Sequence, residues 1–139
     1  MSRGFPTLQV RLSSEVSTSG ESLTRLAFHP SSSDTMVSVS EHEHSVRFWD
    51  LRSGSTSVSL ETPGVNSTLS WSGDAQYLVV TSTDYRCSIL DTRRMRVLAQ
   101  LSARSQASDA VFAKGDAQIL QTTLDGTLEV AAAADGRLL

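Results

Sequence analysis

Short runs in which apolar and polar residues alternate recur along the whole chain, spaced 41 to 43 residues apart. Alternation with a period of two, interrupted by Gly, Ser, Asp and Pro turns, predicts β-strands. Four sets of runs align: 23–30, 66–73 and 107–115; 35–40, 77–82 and 118–123; 45–50, 86–91 and 127–132; and 56–60, 96–101 and 137–139. The pattern therefore predicts an all-β protein.

The repeat divides the chain into units of four strands each. A repeat of about 40–45 residues with four strands is typical of the blades of a β-propeller. We expect an N-terminal segment at 1–19 with an additional strand near 7–12, then blades at 20–62 and 63–102 and a degenerate blade at 103–139. The predicted architecture is a partial propeller of about three four-stranded blades plus one N-terminal strand.

The pair Trp49-Asp50 ends the third strand of the first unit. A buried Trp side chain needs a partner for its indole N–H. At 41-residue intervals the second strands carry the hydroxyl residues Ser40, Thr81 and Thr122. We therefore predict that Trp49 donates a hydrogen bond to Ser40, which would contribute about 1 kcal/mol net.

These residues resemble the WD40-repeat family over residues 20–139. The first unit carries the motifs "LAFHP", "SVS" and "VRFWDLR"; the second keeps "LSWSGDAQYLVVTS" and ends in Leu90-Asp91; the third lacks the Trp-Asp pair. The resemblance implies a propeller that typically has seven blades, of which this chain holds fewer than half. It also implies structural roles for six residues: Ser40, Trp49, Asp50, Trp71, Thr81 and Asp91.

A closer resemblance is to the WD40 subunit of the THO/TREX complex. It rests on the order of a complete blade, then Gly64-Val65-Asn66, then the turn at 71–74, then Ile89-Leu90-Asp91-Thr92. It implies a non-catalytic scaffold in mRNA processing and nuclear export, located in the nucleus, with the cytoplasm as an additional location. The implied partners are protein subunits of a multiprotein complex, with any RNA contact indirect.

Composition narrows the function classes further. The formal net charge of the 139 residues is −3, which gives no general attraction to nucleic acid or anionic membranes. Cys87 is the one cysteine, so no internal disulfide forms, as suits a reducing compartment. The chain has no apolar stretch of about 20 residues and no signal-peptide core, so we expect no membrane span.

Candidate chemistry is sparse. His42 and His44 lie two apart beside acidic residues and could bind a metal weakly, but a solvated hairpin tip is the simpler interpretation because no third ligand is visible. No Ser-His-Asp or Cys-His set has the spacing for nucleophilic catalysis. We therefore expect no catalytic residue, no metal and no cofactor.

Arginines are the candidate partner-binding residues: Arg47, Arg52, Arg93 and Arg94. The strip at 91–104 could contact RNA phosphate or an acidic partner, or could be a solvated loop. Arg52 allows a second hypothesis. The string "VRFWDLR" resembles the box with which some WD40 proteins bind the adaptor of a cullin-RING ubiquitin ligase, so a substrate receptor is the alternative function.

The small number of blades raises a question of closure. Blades that lack a neighbour expose strand edges and apolar faces, which are aggregation hazards. Three explanations stay open: the chain is a truncated or partial gene product, another chain supplies the remaining blades, or the chain associates with itself into a ring.

Overall fold

The computed structural model describes residues 22–53, 55–102, 105–113 and 115–132, together with Gln9. The described residues form eleven strands and no helix, which confirms the all-β prediction. The strands are β1 (Arg25–Phe28), β2 (Thr35–Val39), β3 (Ser45–Asp50), β4 (Ser55–Glu61), β5 (Asn66–Trp71), β6 (Tyr77–Ser82), β7 (Arg86–Asp91), β8 (Arg96–Ser102), β9 (Ala107–Ala113), β10 (Gln118–Thr123) and β11 (Leu128–Ala132).

The strands form three antiparallel sheets in which chain neighbours pair. The first sheet is β1-β2-β3-β4, the middle sheet is β5-β6-β7-β8, and the third sheet is β9-β10-β11. The fourth strand predicted for the third unit, at 137–139, lies outside the described residues. The strand predicted near 7–12 also lies outside them, apart from Gln9, which is exposed and in no strand.

Tight hairpins fix the order of strands within each sheet. Tyr85 in the β6–β7 hairpin and Gly126 in the β10–β11 hairpin occupy equivalent positions, with φ of 69° and 88°. Ala75 and Asp116 are equivalent in the β5–β6 and β9–β10 turns, with φ of 63° and 70°. Residues with a left-handed backbone conformation, in which φ is positive, allow the chain to reverse its direction within a few residues.

The middle sheet is covered on both faces, which explains its continuous apolar run at 77–80. Val80 and Leu78 face the first sheet, where they pack in a core cluster with Val37 and Phe48. Val79 and Ile89 face the third sheet and pack in a second cluster with other buried residues. Two-sided burial of this type replaces the polar-apolar alternation of a sheet with one wet face.

Cavity formation in this two-sided core should be costly. We expect Leu78→Ala, which truncates a fully buried side chain, to lower the free energy of unfolding by about 2–5 kcal/mol. The matched change Leu98→Ala, on an exposed part of β8, should cost about 0.5 kcal/mol or less. Urea denaturation of both variants measures the difference, and equal losses would contradict the assigned packing.

Burial also controls the chemistry of the single cysteine. Cys87 is 1% exposed, and desolvation raises the pKa of its thiol from 9.0 to about 12. The folded chain therefore holds this proton when the unfolded chain has lost it. The stabilising contribution is complete below pH 9 and is lost as the pH rises from 9 towards 12.

We accordingly predict a pH-dependent difference between the native chain and Cys87→Ala. From pH 7 to pH 10 the native chain should lose about 1 kcal/mol more of its unfolding free energy than the variant, since one pKa unit is about 1.4 kcal/mol. Urea unfolding of both proteins at the two pH values measures this. An identical pH dependence would show that the thiol is not buried.

Candidate partner-binding face

The indole of Trp49 is hydrogen-bonded, but not to the predicted partner. Its Nε1–H donates to Oγ of Ser38 at 2.7 Å, and both side chains are buried. Trp49 lies opposite Met36 in the β2–β3 ladder, so Ser38 is its diagonal neighbour on the same face. Ser40 lies beyond the end of β2, four positions from Met36, and is out of reach. The predicted bond between Trp49 and Ser40 was wrong.

The prediction that Trp49 bonds to Ser40 failed because the β2–β3 hairpin is one residue longer than the corresponding β6–β7 hairpin. Six residues, 40–45, separate the paired Val39 and Val46 in the first sheet, whereas five residues, 82–86, separate Thr81 and Cys87 in the middle sheet. The additional residue means that Val39, and not Ser40, is the structural counterpart of Thr81. Counting at a fixed spacing of 41 residues could not detect this insertion.

The hydroxyls named with Ser40 have other partners. Thr81 is buried, and its Oγ1 lies 2.5 Å from Oγ1 of Thr68 on β5 and 3.0 Å from Oγ of Ser67. Ser40 accepts a hydrogen bond from the backbone N–H of His42 at 3.2 Å within the β2–β3 hairpin. Both side chains therefore stabilise strand connections, without contact to Trp49.

Arg47, a predicted partner-binding residue, is held by the β2–β3 hairpin. Its Nη2 donates to Oε1 of Glu43 at 2.6 Å and its Nε donates to Oε2 at 3.1 Å. The side chain of Arg47 is only 17% exposed. A two-point pair of this kind is geometrically specific. Arg47 therefore fixes the hairpin and presents little of its charge to solvent.

Asp50 and Asp91 end the third strands of the first two sheets in the same way. Oδ1 of Asp50 accepts the backbone N–H of Arg52 at 3.0 Å. Oδ1 of Asp91 accepts the backbone N–H groups of Arg93 and Arg94 at 3.0 and 3.1 Å. Each Asp thus forms an Asx-type turn with its own side chain, and each turn places arginine directly after it.

The two turns lie at the same end of neighbouring sheets. The N–H of Leu51 donates to the β1–β2 turn at the carbonyl of Asp34, and the N–H of Thr92 donates to the β5–β6 turn at the carbonyl of Gln76. We call the surface formed by the exposed side chains of Arg52, Arg93 and Arg94 the arginine face. Arg47 lies in the middle of β3, and its side chain reaches towards Glu43 of the β2–β3 hairpin, so it does not belong to this face.

Acidic side chains accompany the arginine face. Nε of Arg52, whose side chain is 76% exposed, lies 3.6 Å from Asp34 and 3.7 Å from Asp50. The pKa of Asp74 is lowered, first by the hydroxyl of Ser72 and then by the backbone N–H of Gln76. The carboxylates near the arginines therefore offset part of their charge.

Trp71 joins the first two sheets. Its Nε1–H donates to the carbonyl of Ala27 at 3.4 Å, and its ring lies 4.8 Å from the His29 ring and 6.4 Å from the Phe48 ring between centroids. His29 in turn accepts the backbone N–H groups of Ser31 and Ser32 at Nδ1. The aromatic residue on β5 thus anchors the middle sheet against the first one.

Two polar residues that link the sheets, Asp116 and Asn66, are not among the residues predicted to have structural roles. The carboxylate of Asp116 accepts the backbone N–H groups of Gly73 and Asp74 at 2.7 and 3.1 Å, which ties the third sheet to the middle one. Nδ2 of Asn66 donates to the carbonyl of Ser45 at 3.3 Å, which ties the middle sheet to the first. The alignment of equivalent positions in the repeats does not predict which side chains form contacts between neighbouring sheets.

Metal and membrane features are not found in the described ranges. Nε2 of His42 lies 3.6 Å from Oε1 of Glu41 at the hairpin tip. In these ranges no group of three or more His, Cys, Asp or Glu side chains could hold a metal ion. Across the same residues, no helix has the length and apolar character needed to cross a membrane.

Comparison with known proteins relates this chain to one curated relative in particular. It is 31% identical over 111 residues to THO complex subunit 3 of Arabidopsis thaliana. That similarity covers 79% of this chain but 35% of the relative, so the chain spans about a third of the relative's length. No protein-family profile matches the chain.

Solved structures match the fold closely at low sequence identity. The β-propeller domain of Swd1 from Myceliophteria thermophila aligns with a TM-score of 0.76 at 16% identity, and the WD40 repeats of RRP9 align with 0.77 at 19%. Each alignment covers 86% of this chain and 37% or 38% of the other. Hydrazine synthase of Kuenenia stuttgartiensis aligns with 0.79 at 13% identity over 94% of this chain and 38% of the other. These similarities establish the fold alone.

The corrected Trp49 contact leads to a paired prediction. Ser38→Ala leaves a buried indole N–H without its acceptor, so the free energy of unfolding should fall by about 1–3 kcal/mol. Ser40→Ala removes only a contact at the hairpin tip and should cost less than about 1 kcal/mol. Urea unfolding followed by Trp fluorescence measures both, and a larger loss for Ser40→Ala would restore the rejected pairing.

Proposed function

We propose that this chain, whose fold is that of the WD40-repeat β-propellers, is a non-catalytic scaffold subunit of a THO/TREX-like complex. In this role it acts in the nucleus, in mRNA processing and export. The observation that carries the proposal is the 31% identity to THO complex subunit 3 across 79% of this chain. The relative is about three times as long as this chain. The role of the whole relative is therefore part of what we propose for this chain.

The scaffold role is supported by the rigidity of the arginine face. The turns that carry it are closed by the Asp50 and Asp91 carboxylates and are tied to the neighbouring β1–β2 and β5–β6 turns. Arginines on such turns are presented to a partner with little backbone entropy left to lose. They can form two-point hydrogen bonds to carboxylates of a protein partner.

The acidic residues that accompany the arginine face make RNA a less suitable direct partner than a protein. The net charge of the chain is −3, and Asp34, Asp50 and Asp74 lie in the turns beside the arginines. Phosphate binding draws its strength from several basic groups that act without acidic neighbours. We therefore assign RNA contact to the assembled complex and protein contact to this chain.

A second candidate function rests on Arg52 alone. Its side chain is 76% exposed, as a ubiquitin-ligase adaptor contact through the "VRFWDLR" string requires. Under this alternative, the chain would be a substrate receptor, and Arg52→Ala alone would abolish co-purification of the adaptor. The scaffold proposal expects no adaptor to co-purify with the native chain.

Charge reversal tests the proposed surface. We expect the triple variant Arg52→Glu, Arg93→Glu, Arg94→Glu to recover THO-complex subunits at about a tenth of the native amount or less, since three exposed pairs of roughly 0.5–1 kcal/mol each give about 1.4 kcal/mol or more. The measurement is affinity purification from the native cell with quantitative partner identification.

Arg86→Glu is the matched control for this experiment. Arg86 is half-exposed beside Asp84, at the opposite end of the middle sheet from Arg93. The control should recover THO-complex subunits at the native level. If the native chain recovers no THO-complex subunits, the proposed function is wrong. If the native chain and the triple variant recover these subunits in equal amounts, the proposed function stands but the arginine face is not the binding surface.

A further inference from the structure

The β9–β10 turn of the third sheet holds a turn of the middle sheet through one side chain. Asp116 has a left-handed backbone conformation there, with φ of 70°. Its Oδ1 accepts the backbone N–H of Gly73 at 2.7 Å, and its Oδ2 accepts that of Asp74 at 3.1 Å. A Cβ atom on Gly73 would lie 3.3 Å from Oδ2, so the absence of a side chain at Gly73 leaves room for this approach. The carboxylate therefore fixes the β5–β6 turn at two points from outside its own sheet.

The β5–β6 turn in its turn holds the β7–β8 turn, which carries two residues of the arginine face. The hydroxyl of Thr92 lies 3.0 Å from the carbonyl oxygen of Ala75 and 2.9 Å from that of Gln76. The backbone N–H of Thr92 also donates to the carbonyl of Gln76, at 3.0 Å. Thr92 directly precedes Arg93 and Arg94, whose side chains are exposed. These two arginines are therefore connected to the third sheet through the β5–β6 turn.

The equivalent turn of the first sheet does not receive this contact from the middle sheet. Ala75 corresponds to Asp116, because both follow equivalent ladder pairs at the same distance and have φ of 63° and 70°. An alanine side chain has no hydrogen-bond acceptor. At this position, therefore, the middle sheet offers no carboxylate to the β1–β2 turn, which accepts the N–H of Leu51 beside Arg52. The carboxylate link is a particular feature of the other half of the arginine face.

We propose that Asp116 is a positioning residue for Arg93 and Arg94, which it holds through the β5–β6 turn in the arrangement that binds a carboxylate-bearing protein partner. This inference rests on the function and the arginine face proposed above. Hydrogen bonds from backbone N–H groups to a carboxylate are stronger than those between neutral groups. A turn that is fixed before binding also has less conformational freedom to lose in the complex. Asp116 thus acts on the partner without touching it.

Amide hydrogen exchange of the purified protein tests the link in the absence of any partner. In Asp116→Ala the amide of Thr92 should exchange about tenfold faster than in the native protein, because the turn that accepts it loses two charge-assisted hydrogen bonds. The amide of Leu51, its counterpart in the first sheet, should exchange at the native rate. Ala75 shows that alanine fits this left-handed conformation, so we expect the variant to fold.

Affinity purification from the native cell measures the effect on binding. Asp116→Ala should recover THO-complex subunits at about a third of the native amount or less, since weakening one exposed ion pair costs a factor of roughly two to five. Asp116→Asn keeps one carbonyl oxygen for the two N–H groups and should recover an intermediate amount. Asn66→Ala is the matched control, because it removes a link between sheets at the opposite end of β5, and it should recover the native amount.

A combined variant separates positioning from a general loss of stability. The double variant Arg93→Ala, Arg94→Ala should recover a reduced amount of the subunits. Adding Asp116→Ala to it should reduce the recovery no further, because the residues that Asp116 positions are already gone. If Asp116 only stabilised the fold, its loss would lower the recovery by the same factor with and without the two arginines.

Three results would overturn this role of Asp116. A native exchange rate of Thr92 in Asp116→Ala would show that the link between the turns does not hold the β7–β8 turn. Native recovery by Asp116→Ala, or an equal loss with and without the two arginines, would exclude positioning while the proposed function stands. A native chain that recovers no THO-complex subunits would contradict the proposed function and this role together.

Discussion

The stacking of sheets on both sides of the middle sheet is the constraint on which the rest of the structure depends. Four-stranded sheets of this size have little stability alone, because their apolar faces need cover. Leu78 on one face and Ile89 on the other are both buried only because a sheet lies against each. The polar links at Asn66 and Asp116 then fix how neighbouring sheets meet. The rigid turns of the arginine face follow from this arrangement.

The sequence was sufficient to predict most of this architecture. Strands β5, β6, β7 and β10 begin and end within a few residues of their predicted limits, since alternating or continuous apolar runs bounded by turns are a local signal. The WD40 resemblance agrees with the solved propellers that share the fold. The contacts between sheets could not be predicted. They depend on how strands of neighbouring sheets are placed relative to one another, and the spacing of the repeats in the sequence does not contain that information.

The wrong partner for Trp49 shows where pattern reasoning fails. One additional residue in the β2–β3 hairpin moves every second-strand residue by one position relative to the repeat, and a shift of one residue exchanges the two faces of a strand. Ser38 then becomes the acceptor, and Ser40 belongs to the hairpin. The sequence pattern indicated which arginines could bind a partner. Only the structure distinguishes Arg47, which is paired with Glu43, from Arg52, whose side chain is exposed.

Hydrogen exchange of backbone amides tests the stacking account most directly. Amides of β6 and β7, in the sheet covered on both sides, should exchange only through global unfolding and should be the slowest in the chain, while those of β1 and β11 should exchange through smaller openings. Destabilisation by Leu78→Ala should accelerate β6, β7 and the first sheet together. Exchange in which each sheet opens independently, with β6 and β7 no slower than β1, would contradict the account.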